Sequence, residues 1–193
     1  MLDDKKLKEI ETRAKQYLQD NTIVKTKQIG YVDFFLENAK NAIDSAELLL
    51  KASTDKDFQE KIEQTVNGLL WVINASYYSM FYTARALLEK NGYRLNADLS
   101  IHMLTFDALV YFFYLTKKLE KQFVEEFAQA EEEAAELLGQ EKAKQVVQDY
   151  AYEKGKRSEF TYEMGAVVLE SKAKTSLERA KKFNEELGKL IQK

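Results

Sequence analysis

Proline is missing from all 193 residues, where about ten would be usual for a chain of this length. Proline breaks helix interiors and punctuates loops, so its absence points to long helices joined by short turns. Cysteine is missing too. That excludes a disulfide framework, a thiolate nucleophile and any cysteine-ligated zinc or iron–sulfur centre. Histidine is nearly absent, with His102 alone. A carboxylate-bridged di-iron site in a helical bundle needs two Glu-x-x-His pairs. Leu99 stands three residues before His102, so that site fails, and a histidine-rich zinc site fails with it. No Walker lysine loop, dinucleotide glycine fingerprint or Ser-His-Asp cue is present. No metal and no cofactor are expected. Charge of one sign is also lacking: 29 Lys and Arg face 32 Asp and Glu, a net charge of -3. The chain as a whole is not drawn to nucleic acid or to an anionic membrane.

One stretch without charge, Gln64 to Ala84, is nearly long enough to span a bilayer. It carries Asn67, Asn74, Ser76, Ser79 and Thr83 together with Tyr77, Tyr78 and Tyr82, which are expensive in hydrocarbon. A helix at the centre of a water-soluble bundle accounts for it, and no membrane association is expected. The first residues, Met-Leu-Asp-Asp-Lys-Lys, lack the apolar core of a secretory signal, so a cytoplasmic chain is expected.

What is abundant is apolar spacing of three and four. Residues 3–19 form an amphipathic pattern with Leu7, Ile10, Ala14 and Leu18, and residues 20–30 read as a linker. Residues 1–30 are therefore expected as an appendage to a bundle domain over 31–193. Within it, Tyr31, Phe35, Ala39, Ile43, Ala46 and Leu50 mark a helix ending near Ser53. Thr54 and Asp55 are capping residues for a short turn. A helix over 66–91 closes on Gly92, and Asn96 to Asp98 cap another over 99–115. That helix is apolar nearly all round, so it is either central or at a subunit interface, and in a dimer part of Ile101–Leu115 is expected to be buried between subunits. Leu119, Phe123, Phe127, Ala130, Ala134 and Leu137 mark a helix over 117–138, with Gly139 as a kink or stop. Helical pattern resumes over 141–152, and the charged stretch Lys154 to Tyr162 reads as a break. The last helix, 166–191, repeats Leu169, Ala173, Leu177, Ala180, Phe183, Leu187 and Leu190. The fold class is all-α: an up-and-down bundle of four to five long helices plus the N-terminal helix.

Two segments resemble a known family. Residues 74–92 read Asn-Ala-Ser-Tyr-Tyr-Ser-Met-Phe-Tyr-Thr-Ala-Arg-Ala-Leu-Leu-Glu-Lys-Asn-Gly, similar to the second core helix of HEPN domains. Arg157-Ser-Glu-Phe-Thr-Tyr162, with Ala173, Ala180, Lys181, Lys182 and Phe183 beyond, resembles the Arg-x-x-Ala-Asp-Tyr segment and last helix of small stand-alone HEPN proteins. Ser100-Ile-His102 with Phe106 looks like their third core helix. The resemblance covers roughly residues 31–191, with 125–145 as an insertion.

The resemblance implies a homodimer, with a separately encoded nucleotidyltransferase-like protein as a possible partner in a toxin–antitoxin type pair. It also implies a site for nucleotide or RNA phosphate. Many HEPN domains are metal-independent ribonucleases whose motif is an arginine followed by histidine. Arginine holds phosphate through parallel charge-assisted hydrogen bonds, and histidine exchanges protons near neutral pH. Arg157 matches the arginine, but Tyr162 stands where the histidine would be. A phenol with a pKa of about 10 is a poor base at neutral pH. The expectation is thus a binding module using Arg157, Lys154 and Lys156. The alternative is an active endoribonuclease using Arg157 with Tyr162 or His102. Arg157 also reads as an ion-pair partner of Glu153 or Glu159, Tyr162 as core, and His102 as a satisfied structural histidine. A third class, a bundle that only scaffolds a partner, predicts no nucleotide binding.

Overall fold

The computed structural model describes the backbone of residues 2–28, 30–96, 101–151 and 159–193, and side chains outside 137–168. Among these residues the chain is an all-α bundle with one small strand pair. Helix α1 spans Asp4–Gln19, α2 Val32–Thr54, α3 Lys56–Ile62 and α4 Leu69–Lys90. Helix α5 covers Ile101–Leu109 and runs into a π-helical turn over Val110–Tyr114. Helices α6, Lys121–Ala151, and α7, Glu159–Ile191, complete the bundle.

Helix α4 is the axis, with α2 and α7 as its main neighbours and α6 and α5 closing further sides. This explains the missing charges between Gln64 and Ala84. Val72, Ile73, Met80, Ala84, Leu87 and Leu88 are all buried, and the side that faces out carries Trp71 and Tyr78 in place of ions. Its buried polar groups are satisfied largely within the helix layer. The Ser79 hydroxyl donates to the Ala39 carbonyl at 2.8 Å and accepts from the Asn184 amide at 2.6 Å. That seam ties α2, α4 and α7 in one register. Among the described residues no helix is long and apolar enough to cross a membrane.

The caps follow the sequence. Asp3 accepts from the Lys6 amide at 2.7 Å and starts α1, and Asp55 accepts from Phe58 at 3.0 Å and starts α3. Gly92, at φ +77, ends the α4 region in the left-handed conformation. Its missing Cβ also leaves room for the Thr26 carbonyl oxygen, which bounds the strand pair.

That pair is a departure from the sequence reading. Ile23–Lys25 (β1), inside the segment read as a linker, pairs antiparallel with Tyr93–Leu95 (β2), Ile23 opposite Leu95. Three residues are too few for alternation to register, and the pairing is set by α1 and α4 delivering both ends. Helix α1 itself packs on α5, with Ile10 and Ala14 fully buried in the common core. The apolar helix is accordingly central. Leu104, Ala108, Leu109 and Val110 are buried within the one chain, whereas Met103 and Leu115 of the same stretch stay exposed. Two further expectations are corrected. Helix α6 continues past Gly139 as helix, so the glycine does not end it, and α7 begins at Glu159, seven residues before Ala166. A lone helical glycine costs only about 1 kcal/mol, which long helical flanks absorb.

Candidate functional site

The four aromatic residues Tyr77, Tyr78, Phe81 and Tyr82 cannot share one face of a helix. The structure divides them. Tyr77 and Phe81 are buried, Tyr78 is exposed, and Tyr82 is half-buried beside it. The first turn of α5 carries His102 into this cluster. Its ring centroid lies 4.4 Å from that of Phe81, 5.6 Å from Tyr77 and 5.8 Å from Tyr78. Behind Tyr77, the Phe127 ring of α6 stacks at 5.9 Å.

His102 is fixed by one strong hydrogen bond, 2.6 Å between its Nδ1 and the Tyr77 hydroxyl. Burial holds the Tyr77 phenol fully protonated, far above its usual range, with Glu131 adding to the effect. With that phenol as donor, Nδ1 accepts and the imidazole carries its proton on Nε2, as a hydrogen-bond donor. Burial lowers the His102 pKa, and the positive charge of Arg85 lowers it further. His102 is therefore neutral at pH 7.

Arg85 completes the cluster. Its guanidinium lies 4.7 Å from the Phe35 ring centroid of α2 and 5.9 Å from that of Phe81. Among the described residues there are four arginines. Three are paired with carboxylates: Arg13 with Asp107, Arg94 with Glu89 and Arg179 with Glu133. Arg85 alone has neither an ion pair nor a hydrogen bond. Burial lowers its pKa, with Glu89 and Tyr82 acting in the opposite direction, yet a guanidinium keeps its charge in any protein environment. A charged group on two aromatic faces, with no protein acceptor for its N–H groups, has the chemistry to receive an anion. The neutral His102 beside it can add its Nε2 proton.

Arg85 stood in the quoted helix without being singled out. Helical spacing would assign it to Glu89, four residues on, as an ordinary ion pair. The fold cancels that pair: Glu89 is buried and its carboxylate accepts from Arg94 of β2 at 3.1 Å. Of the residues the sequence did single out, His102 belongs to the site. Arg157, Lys154 and Lys156 lie outside the described residues. Tyr162 falls in the first turn of α7, and its side chain lies outside them too. No group of three metal-binding side chains occurs among the described residues. Comparison with known proteins finds no matching family model, no matching curated protein and no matching solved structure.

The histidine carries a pH prediction. Its folded pKa is depressed, so between that value and the ordinary ~6.5 the unfolded chain binds more protons. The contribution is complete above pH ~6.5 and is lost as the pH falls below it. Glu131, raised by burial and by Asp107, works in the opposite direction. The difference in urea stability between the wild type and His102→Phe therefore isolates the histidine. That difference is expected to shift in favour of the variant between pH 7 and 5.5. A constant difference over that range would contradict the assignment.

Proposed function

We propose that the chain is a HEPN-type binding module that holds a phosphate group of a nucleotide or RNA. One observation carries the reading: Arg85 is the one described arginine without a carboxylate, and it sits on two rings beside the sole histidine. Arg85 supplies the parallel donors, His102 a neutral Nε2–H, and Tyr78 a half-open ring on which a base can stack. Arg157, with Lys154 and Lys156, remains the second phosphate-binding set of the proposal. A homodimer, a nucleotidyltransferase-like partner in a toxin–antitoxin type pair and a cytoplasmic setting belong to the same reading.

The second reading is a metal-independent endoribonuclease. Proximity of an arginine to a neutral histidine favours it, since that pair can bind phosphate and move a proton. The Tyr77 hydrogen bond favours binding alone, because it occupies the imidazole lone pair that a general base needs. Labelled single-stranded RNA in the presence of EDTA separates the two. Binding by anisotropy without cleavage is expected, with Arg85→Met weakening affinity roughly tenfold to hundredfold, the worth of a charge-assisted bond. An equal loss in Arg157→Ala but none in Arg85→Met would move the site to Arg157. Cleavage that survives EDTA and disappears in Arg85→Met would establish the enzyme.

A further inference from the structure

Ala42 of α2 and Ala75 of α4 are small side chains on the walls of a groove of about 570 Å³ between the two helices. Aromatic rings and amides make up the rest of those walls, chiefly Tyr78 and Tyr82 on α4 and Asn38 and Asn41 on α2. No charged residue lines the groove. Lys40 and Lys181 at its margin are already paired, with Asp44 and Glu47. Trp71, 61% exposed, stands at one end. The other end opens on Arg85 and His102. Tyr82 stacks on the Phe35 ring at 6.5 Å, and the Arg85 guanidinium lies on that same ring at 4.7 Å. Tyr78 meets the His102 ring edge-on at 5.8 Å. The groove is thus an uncharged, ring-walled strip with a single cation at one end.

We infer that this groove is the base subsite of the anion site, and that its ligand is a single nucleotide with one phosphate, not a strand. This rests on the phosphate reading of Arg85 and makes it narrower. Charge selects the ligand. A strand sets a phosphate beside every base, each in want of a cation, and the groove lining supplies none. A second phosphate on the same nucleotide meets the same want. A nucleoside is neutral and enters without stranding a charge. Its base lies flat on Tyr78, which is 39% exposed, a contact open to any base because every base has a π-face. The Asn41 amide on the facing wall offers a donor beside an acceptor, the complement of the N6 and N7 edge of adenine. The spacing agrees. Tyr78 precedes Arg85 by two helical turns, about 10 Å along α4. The arginine leans back toward it, with its guanidinium 5.9 Å from the Phe81 ring centroid. One ribose is enough to join a phosphate on Arg85 to a base on Tyr78.

Calorimetric titration of the full chain with adenosine 5′-monophosphate and with ribose 5-phosphate separates base from phosphate. The nucleotide is expected to bind about tenfold to hundredfold more tightly, the effect of one stacked base. Tyr78→Ala should remove most of that difference and leave the affinity for ribose 5-phosphate unchanged. Ala75→Leu, which fills the groove from its α4 wall, should do the same. Adenosine 5′-diphosphate and single-stranded RNA should bind no more tightly than the monophosphate. Equal affinities for the nucleotide and the sugar phosphate would overturn the base subsite and leave Arg85 as a phosphate site. So would a preference for the nucleotide that survives both substitutions. Affinity that climbs with a second phosphate or with RNA length would overturn the single-phosphate ligand and leave the RNA form of the proposed function. A wild type that binds none of these ligands would overturn both readings.

Discussion

Arg13→Met is expected to destabilise the fold by about 3 kcal/mol, the lower end of the cost of stranding a buried charge. Asp107 lies on α5 with its side chain fully buried, and Arg13 of α1 reaches it with two parallel donors at 2.7 and 2.9 Å. The attraction itself is not the source of the effect. Two charges taken from water lose about as much hydration as they gain in contact, so the pair is near break-even. Removing one partner leaves a buried carboxylate without its charged partner, with only the Tyr17 hydroxyl beside it. Arg13 is about a third exposed, so water can enter the vacated space and keeps the estimate at the lower end. The double variant Arg13→Met, Asp107→Leu should recover most of the loss, because an apolar pair needs no compensation. Urea denaturation of the two variants beside the wild type decides it. A single-variant loss below about 1 kcal/mol would mean that Asp107 is not desolvated as described.

Phe127→Ala should cost about 3–5 kcal/mol, the range for emptying a fully buried aromatic site. The Phe127 ring is 0% exposed and joins elements that are far apart in sequence. Its centroid lies 5.4 Å from Phe183 on α7, 5.9 Å from Tyr77 on α4 and 6.3 Å from Phe106 on α5. Phe127→Leu fills most of the volume and should lose much less. The loss has a second readout. Tyr77 stacks on Phe127 and holds His102, so the alanine variant should also disturb the histidine ring. Thermal unfolding with a loss under about 1 kcal/mol would contradict the packing of α6 on the α4–α7 pair.

The helices were legible in the sequence because burial imposes a period. Ala39, Ala46, Phe127, Ala134, Ala173, Ala180 and Phe183 all stand where spacing of three and four placed them, and all are buried. The strand pair escaped because a period of two needs more than Ile23–Lys25 to be seen. The run through Gly139 escaped because one glycine's weak preference is outweighed by its neighbours. The role of α5 was ambiguous for a different reason. An apolar surface needs cover, and composition does not say whether the cover is another subunit or, as here, α1 of the same chain. The site was half legible. His102 was visible as the lone histidine, whereas Arg85 was hidden by Glu89 four residues on. Only the β1–β2 connection, which brings Arg94 to Glu89, shows that Arg85 is free of an ion pair.

The central claim is that Arg85 and His102 share one anion, and the His102 ring resonance tests it most directly, since no other histidine contributes. Addition of adenosine 5′-monophosphate or short RNA should shift that resonance saturably and raise its titration midpoint, because a bound phosphate favours the charged imidazole. The same additions should leave it unmoved in Arg85→Met. A resonance that stays fixed in the wild type while RNA binds would place the phosphate elsewhere and contradict the account.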